Sequence, residues 1–187
     1  MAKSFTYNGR EYNFSKVLIN FTEVKKYLPD ALATTAQNFF KDSFRRQGWR
    51  DKSLKKWAPR KKADSGRAIL VRRGHLRNSI RKILARWERI EVGTTLPYAS
   101  VHNEGFSGTV SVKQHTRRRL AQVREKYTTK AGKSRTRMVK QETGRHTVKA
   151  HSRNVNIPQR QFIGDSEALN QKIDKVFDIA IDNIFDV

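Results

Sequence analysis

The 187-residue chain has no cysteine. Disulfides, thiolate metal sites and a thiol nucleophile are therefore excluded, which fits synthesis in a reducing cytosol. Long apolar runs are missing too: no stretch reaches the roughly 18 residues that a membrane-spanning helix needs. Neither a lipidation motif nor a signal peptide is present, and the start Met1-Ala2-Lys3-Ser4-Phe5-Thr6-Tyr7 has no targeting character. A membrane is thus not an expected partner. Acidic residues are scarce, with 17 Asp and Glu against 40 Lys and Arg, a formal net charge of +23 and a pI near 10.8. Such a charge implies an acidic partner, either nucleic acid or an acidic protein surface. Only 36% of residues are hydrophobic, and the basic segments account for the deficit. The length fits one domain, or one domain with an appendage.

Catalytic signatures are lacking as well. There is no Gly-rich phosphate loop, no Gly-x-Ser-x-Gly and no His-Glu-x-x-His. His75, His102, His115, His146 and His151 do not have metal-ligand spacing. His102 and Glu104 lie two apart and would not face each other on a helix. No enzyme, metal or cofactor is expected.

What is present is organised around residues 107–154. This stretch holds fourteen Lys and Arg against only Glu125 and Glu142, a local net of +12 and about half of the chain's charge. It has too little apolar area to build a core of its own. Yet Thr109-Val110-Ser111-Val112 and Thr147-Val148-Lys149-Ala150 alternate with period two, as strands do. The expectation is a long basic β-hairpin arm, ordered at its base and loose near Thr128–Ser134. It is inserted in an α+β body made of residues 1–106 and 155–187.

In that body Asn8-Gly9 predicts a hairpin within residues 4–19. Asn20 and Glu23 have capping-box spacing. Val24, Leu28, Leu32, Ala36, Phe39, Phe40 and Phe44 then recur as one helical face, closed by Gly48. Pro29 either kinks this helix or, as the favoured reading, starts it after a short turn ending at Leu28. Trp49 and Trp57 sit among cations; they cap the edge of the core or stack on bases. Residues 80–93 read as a hairpin turning near Ala85-Arg86, and residues 96–105 as a short helix ending at Gly105. Asp165 or Ser166 caps a last helix with Leu169, Ile173, Val176, Phe177, Ala180, Ile181 and Ile184 as its buried stripe. The expected whole is a small antiparallel sheet against a long helix and a C-terminal helix.

Asp174, Asp178, Asp182 and Asp186 recur every four residues on the other face of that last helix. They repel one another and oppose the helix dipole, at roughly 0.3–1 kcal/mol each. Two readings follow: a solvated face, or a face that meets the basic surface of a neighbouring copy. Arg117, Arg118, Arg119, Arg135, Arg137, Arg145, Lys149 and Arg160 are the candidate cations, for a protein partner or for phosphates.

The order of motifs resembles a known family. A Phe-rich helix precedes Gly48-Trp49. Then come Arg73-Gly74-His75-Leu76-Arg77-Asn78-Ser79-Ile80, Val92-Gly93, Tyr98-Ala99-Ser100-Val101-His102-Asn103-Glu104-Gly105 and Ile157-Pro158-Gln159-Arg160-Gln161-Phe162. This pattern is similar to the tailed-phage virion morphogenesis family of tail-completion and head–tail joining proteins, with Arg73 where Thr is usual. The resemblance implies a structural protein located in the virion neck or tail, and in host cytoplasm during assembly. It implies a hexameric or dodecameric ring, contacts with portal, adaptor or tail proteins, and DNA in the lumen. The arm then wraps an adjacent ring or lines the DNA path. The motif residues read as architecture: Gly74 and Gly105 for turns, Leu76, Tyr98 and Phe162 for the core, with Ser79, His102 and Pro158 beside them. A basic nucleic-acid-binding protein, contacting phosphates through residues 107–154, is the alternative.

Overall fold

The structure, a computed structural model, describes residues 4–7, 9–60 and 67–185. The chain divides into two compact units, Met1–Phe106 with Ile157–Val187, and Ser107–Asn156. Among the described residues the class is mixed α and β, with four helices and antiparallel ladders. The described strands pair two by two in five separate ladders instead of forming one small sheet.

Strands β1 (Ser4–Tyr7) and β2 (Arg10–Asn13) make the N-terminal hairpin; its expected turn residue Asn8 lies outside the described residues. Helix α1 then runs unbroken from Phe14 to Arg46. It does not start at Pro29. Asn13 is the cap, its side-chain oxygen accepting from the Ser15 and Lys16 amides at 3.0 and 3.3 Å. Asn20 instead donates to the Ile184 carbonyl, at 3.2 Å, in the last turn of the C-terminal helix. Pro29 inside a helix costs about 3 kcal/mol. That loss is offset because Val24, Leu28 and Leu32, on both sides of it, form a buried cluster with Ala180.

The end of α1 also departs from expectation. Gln47, at φ 54°, takes the left-handed cap position. Its side-chain amide donates to the Phe44 and Ile69 carbonyls and accepts from the Ile69 amide, which holds it there. Gly48 opens strand β3 (Gly48–Arg50), paired with β4 (Leu54–Lys56). Glycine is required at 48 because a Cβ would lie 2.5 Å from the Lys55 carbonyl oxygen.

Helix α2 (His75–Ser79) leads to β5 (Arg81–Arg86) and β6 (Arg89–Gly93). The turn is Trp87-Glu88, two residues later than predicted, and a bulge leaves Ile83 unpaired. Helix α3 (Ala99–Glu104) ends at Gly105, φ 83°. The second unit follows: β7 (Phe106–Val112) pairs with β10 (His151–Ile157), and β8 (His115–Thr128) with β9 (Ser134–Val148). Helix α4 (Glu167–Phe185) closes the chain. Its cap is Ser166, whose hydroxyl donates to the Arg50 carbonyl and accepts from the Leu169 amide.

The main core is built from Phe39, Phe40 and Phe44 of α1 with Trp49, Trp57, Leu76, Ile80, Ala99, Phe162 and Leu169. Phe162 and Ile80 are fully buried. Both tryptophans belong to this core, and the Trp57 indole donates to the Gln161 carbonyl at 2.8 Å. They are therefore not stacking platforms. Three expected core positions are on the surface. Tyr98 is 41% exposed, and on α4 Phe177 and Ile181 are 40% and 50% exposed.

Candidate functional site

Nine of the fourteen Lys and Arg of 107–154 lie on one ladder. Hairpin β8–β9 is paired from His115–Val148 to Thr128–Ser134, with one irregularity near Arg119/Leu120. Its tip is a turn closed by the Thr129 amide on the Lys133 carbonyl and by the Gly132 amide on the Thr129 carbonyl. At each junction with the β7–β10 pair a histidine ring bonds a lysine carbonyl two residues back, His115 to Lys113 and His151 to Lys149. Nothing in the residue pattern announced this pair of matched bends.

The hairpin's two carboxylates are already shared out. Glu125 takes Arg137 at 2.8 Å, and Glu142 takes Arg145 at 2.8 Å and Arg118 at 3.7 Å. Arg137 also lies 5.2 Å from the centre of the Tyr127 ring. Arg117 donates to His115 at 3.1 Å. Arg117, Arg119, Arg135 and Lys149 have no ion pair among the described residues, and all four are exposed. Asp174, Asp178 and Asp182 are likewise exposed and without an ion pair among those residues; Asp186 lies outside them.

Arg160 differs from the other cations. It is only 8% exposed, and its guanidinium donates to the Ala58 and Pro59 carbonyls at 3.0 and 3.3 Å. Its backbone amide donates to the His102 carbonyl at 2.8 Å. The following residues are stitched to α3 by Asn103, which accepts from the Phe162 and Ile163 amides and donates to the Ile163 carbonyl. Pro158 comes directly after β10, where no ladder amide is needed. Gly105 lets these strands of chain meet: a Cβ there would lie 3.0 Å from the Gln159 amide nitrogen. Ser79 bonds the Leu76 carbonyl and the Thr94 hydroxyl, fixing α2 beside β6.

These contacts frame a cleft of about 530 Å³ that the sequence reading missed. Its lining includes Arg72, Arg73 and Arg160, with Tyr98 and His102 standing edge to face at 6.2 Å. Gly74, at φ 72°, turns the chain through its wall. Nδ1 of His102 is buried without a hydrogen-bond partner among the described residues. Burial, with the Arg160 charge behind it, holds the His102 pKa below the usual histidine value. The unfolded chain then takes up this proton near pH 6.5, before the folded one does. This contribution to stability is complete above that pH and is lost as pH falls toward the folded pKa. Thermal melts from pH 8 to 5 are expected to show a shallower acid limb for His102→Gln than for the wild type. Parallel curves would contradict the assignment.

A final feature is apolar. Phe14, Leu18 and Ile19 on α1, and Ile179 and Ile181 on α4, are exposed. Phe14, Val17, Leu18, Phe21, Ile184 and Phe185 line a wholly apolar groove of about 360 Å³. Among the described residues no helix is long and apolar enough to cross a membrane.

A sequence profile of the phage virion morphogenesis family matches residues 13–182, from the cap of α1 into the last turns of α4. No curated protein and no solved structure matches the chain.

Proposed function

The chain belongs to the phage virion morphogenesis family, and we propose that it works at the neck, as a ring that joins head to tail or completes the tail. Its family role is that of a bacteriophage structural and assembly protein. The finer reading rests chiefly on the exposed apolar rows of α1 and α4. Large contiguous apolar surface is uncommon on a lone monomer and marks a contact surface. A ring of copies covers it. Ring formation also brings the acidic face of α4 toward a cationic neighbour. Residues 107–154 act as an arm inserted in the 1–106 and 155–187 body, and they engage the adjacent component of the virion. The polar, doubly exposed hairpin suits such a contact, since β-strand edges and free arginines both recruit partners.

The test is the mass distribution of the purified chain at near-physiological salt, with and without DNA. A discrete oligomer without DNA is expected. A monomer that binds duplex DNA saturably, with affinity falling steeply as salt rises, would overturn the ring in favour of phosphate binding.

A further inference from the structure

Four arginines, Arg60, Arg72, Arg73 and Arg160, line the cleft beside α2 and α3. Arg72 and Arg73 are exposed and make no hydrogen bond or ion pair among the described residues. Arg160 donates Nε and one terminal nitrogen to carbonyls, and its other terminal nitrogen has no partner among those residues. No described Asp or Glu lines the cleft, while Ile69, Leu70 and Leu76 give it an apolar wall. Like charges gathered in a half-enclosed space repel one another, and burial together with Arg60 already pulls the Arg160 pKa down. A planar carboxylate relieves that repulsion with paired hydrogen bonds.

We infer that this cleft is a carboxylate-binding pocket that takes the acidic, apolar-edged face of α4 from a second copy of the chain. The inference rests on the ring reading and names its contact. The complementarity is twofold. Asp174, Asp178 and Asp182 form one exposed row of α4, and Phe177 and Ile181 form the exposed row beside it. The last turn of α4 carries no basic residue to answer its dipole. Carboxylates meet the arginines while the apolar row meets the half-buried Ile69 and Leu70. A phosphate backbone offers nothing to that wall, which favours the acidic helix over DNA. Donor and acceptor surfaces differ, so the contact is head-to-tail and propagates until a ring closes.

The experiment is a charge swap in the full chain, read by mass photometry, with thermal melts to confirm folding. Arg72→Glu with Arg73→Glu is expected to leave the melting temperature unchanged and to weaken association by about tenfold or more. Asp178→Arg with Asp182→Arg should do the same. All four substitutions together should restore the oligomer. A wild-type oligomer that survives the arginine reversals overturns the inference, as does a swap that fails to restore. If the wild type is monomeric, the ring reading fails separately. The pocket is then read by fluorescence anisotropy with a labelled peptide of residues 171–185. Binding that drops about tenfold in the arginine variant supports it, and no binding to the wild type overturns it.

Discussion

Replacing Phe44 with alanine is expected to destabilise the body by about 3–5 kcal/mol. Phe44 is 2% exposed, and its ring lies 5.4 Å from that of Trp57 and 5.2 Å from that of Phe162. The Trp57 indole donates to the Gln161 carbonyl, and the Phe162 amide donates to the Asn103 side-chain oxygen. The anchored Trp57 indole limits how far the core closes over the space the missing ring leaves. The lost contacts and the cavity therefore add, and the cost belongs at the upper end of the range. For a chain of this length the melting temperature should fall by roughly 10–15 °C. Urea unfolding with an unchanged slope and a lower midpoint would report the same loss. A change below about 1 kcal/mol would mean that these rings do not share one core.

Removing the hairpin should have the opposite pattern: little effect on stability and a large one on charge. In the variant, residues 117–146 are replaced by a short Asn-Gly turn joining Thr116 to Thr147, which are paired across the ladder. Both apolar clusters are made of residues outside 107–156. The hairpin itself exposes Leu120, Val123, Tyr127 and Met138 and adds no buried hydrophobic residue. The melting temperature is expected to stay within about 3 °C of the wild type. The removed residues include eleven Lys and Arg and two Glu, a net of +9 out of +23. Residual affinity for duplex DNA should then lose much of its salt dependence, since each phosphate contact contributes about 0.9 to the slope. A steep slope that persists would place the phosphate contacts in the body. A melting temperature that collapses would show that the hairpin is part of the structural unit.

Local sequence was sufficient wherever the pattern alone selects the structure. Alternating residues at 109–112 and 147–148 gave strands, and the i, i+4 apolar row of residues 24–44 gave a helix. Gly105 ended α3, and the tip of the hairpin fell between Thr128 and Ser134. It misled wherever two local signals competed. Pro29 argues for a helix start, and Asn20 with Glu23 argues for a cap. Both lost to the burial of Val24, Leu28 and Leu32 in one cluster with Ala180, an interaction some 150 residues distant in sequence. Period 3.6 identified an apolar stripe on α4 but not its width. The neighbouring elements cover Leu169 and Ala180 and leave Phe177 and Ile181 exposed.

The sequence by itself determined the charge, the absence of thiol chemistry, the α+β class and the family. Each is a property of composition or of short-range order. Only the tertiary structure decided which residues meet. Arg72 and Arg73 precede a five-residue helix and Arg160 follows a strand, and nothing in their spacing links them. They share a cleft because Asn103 and the Arg160 amide tie the returning chain to α3. Tyr98, a core residue by motif, becomes part of the cleft lining for the same reason. Long-range hydrogen bonds and burial set those positions, and neither leaves a periodic trace in the chain.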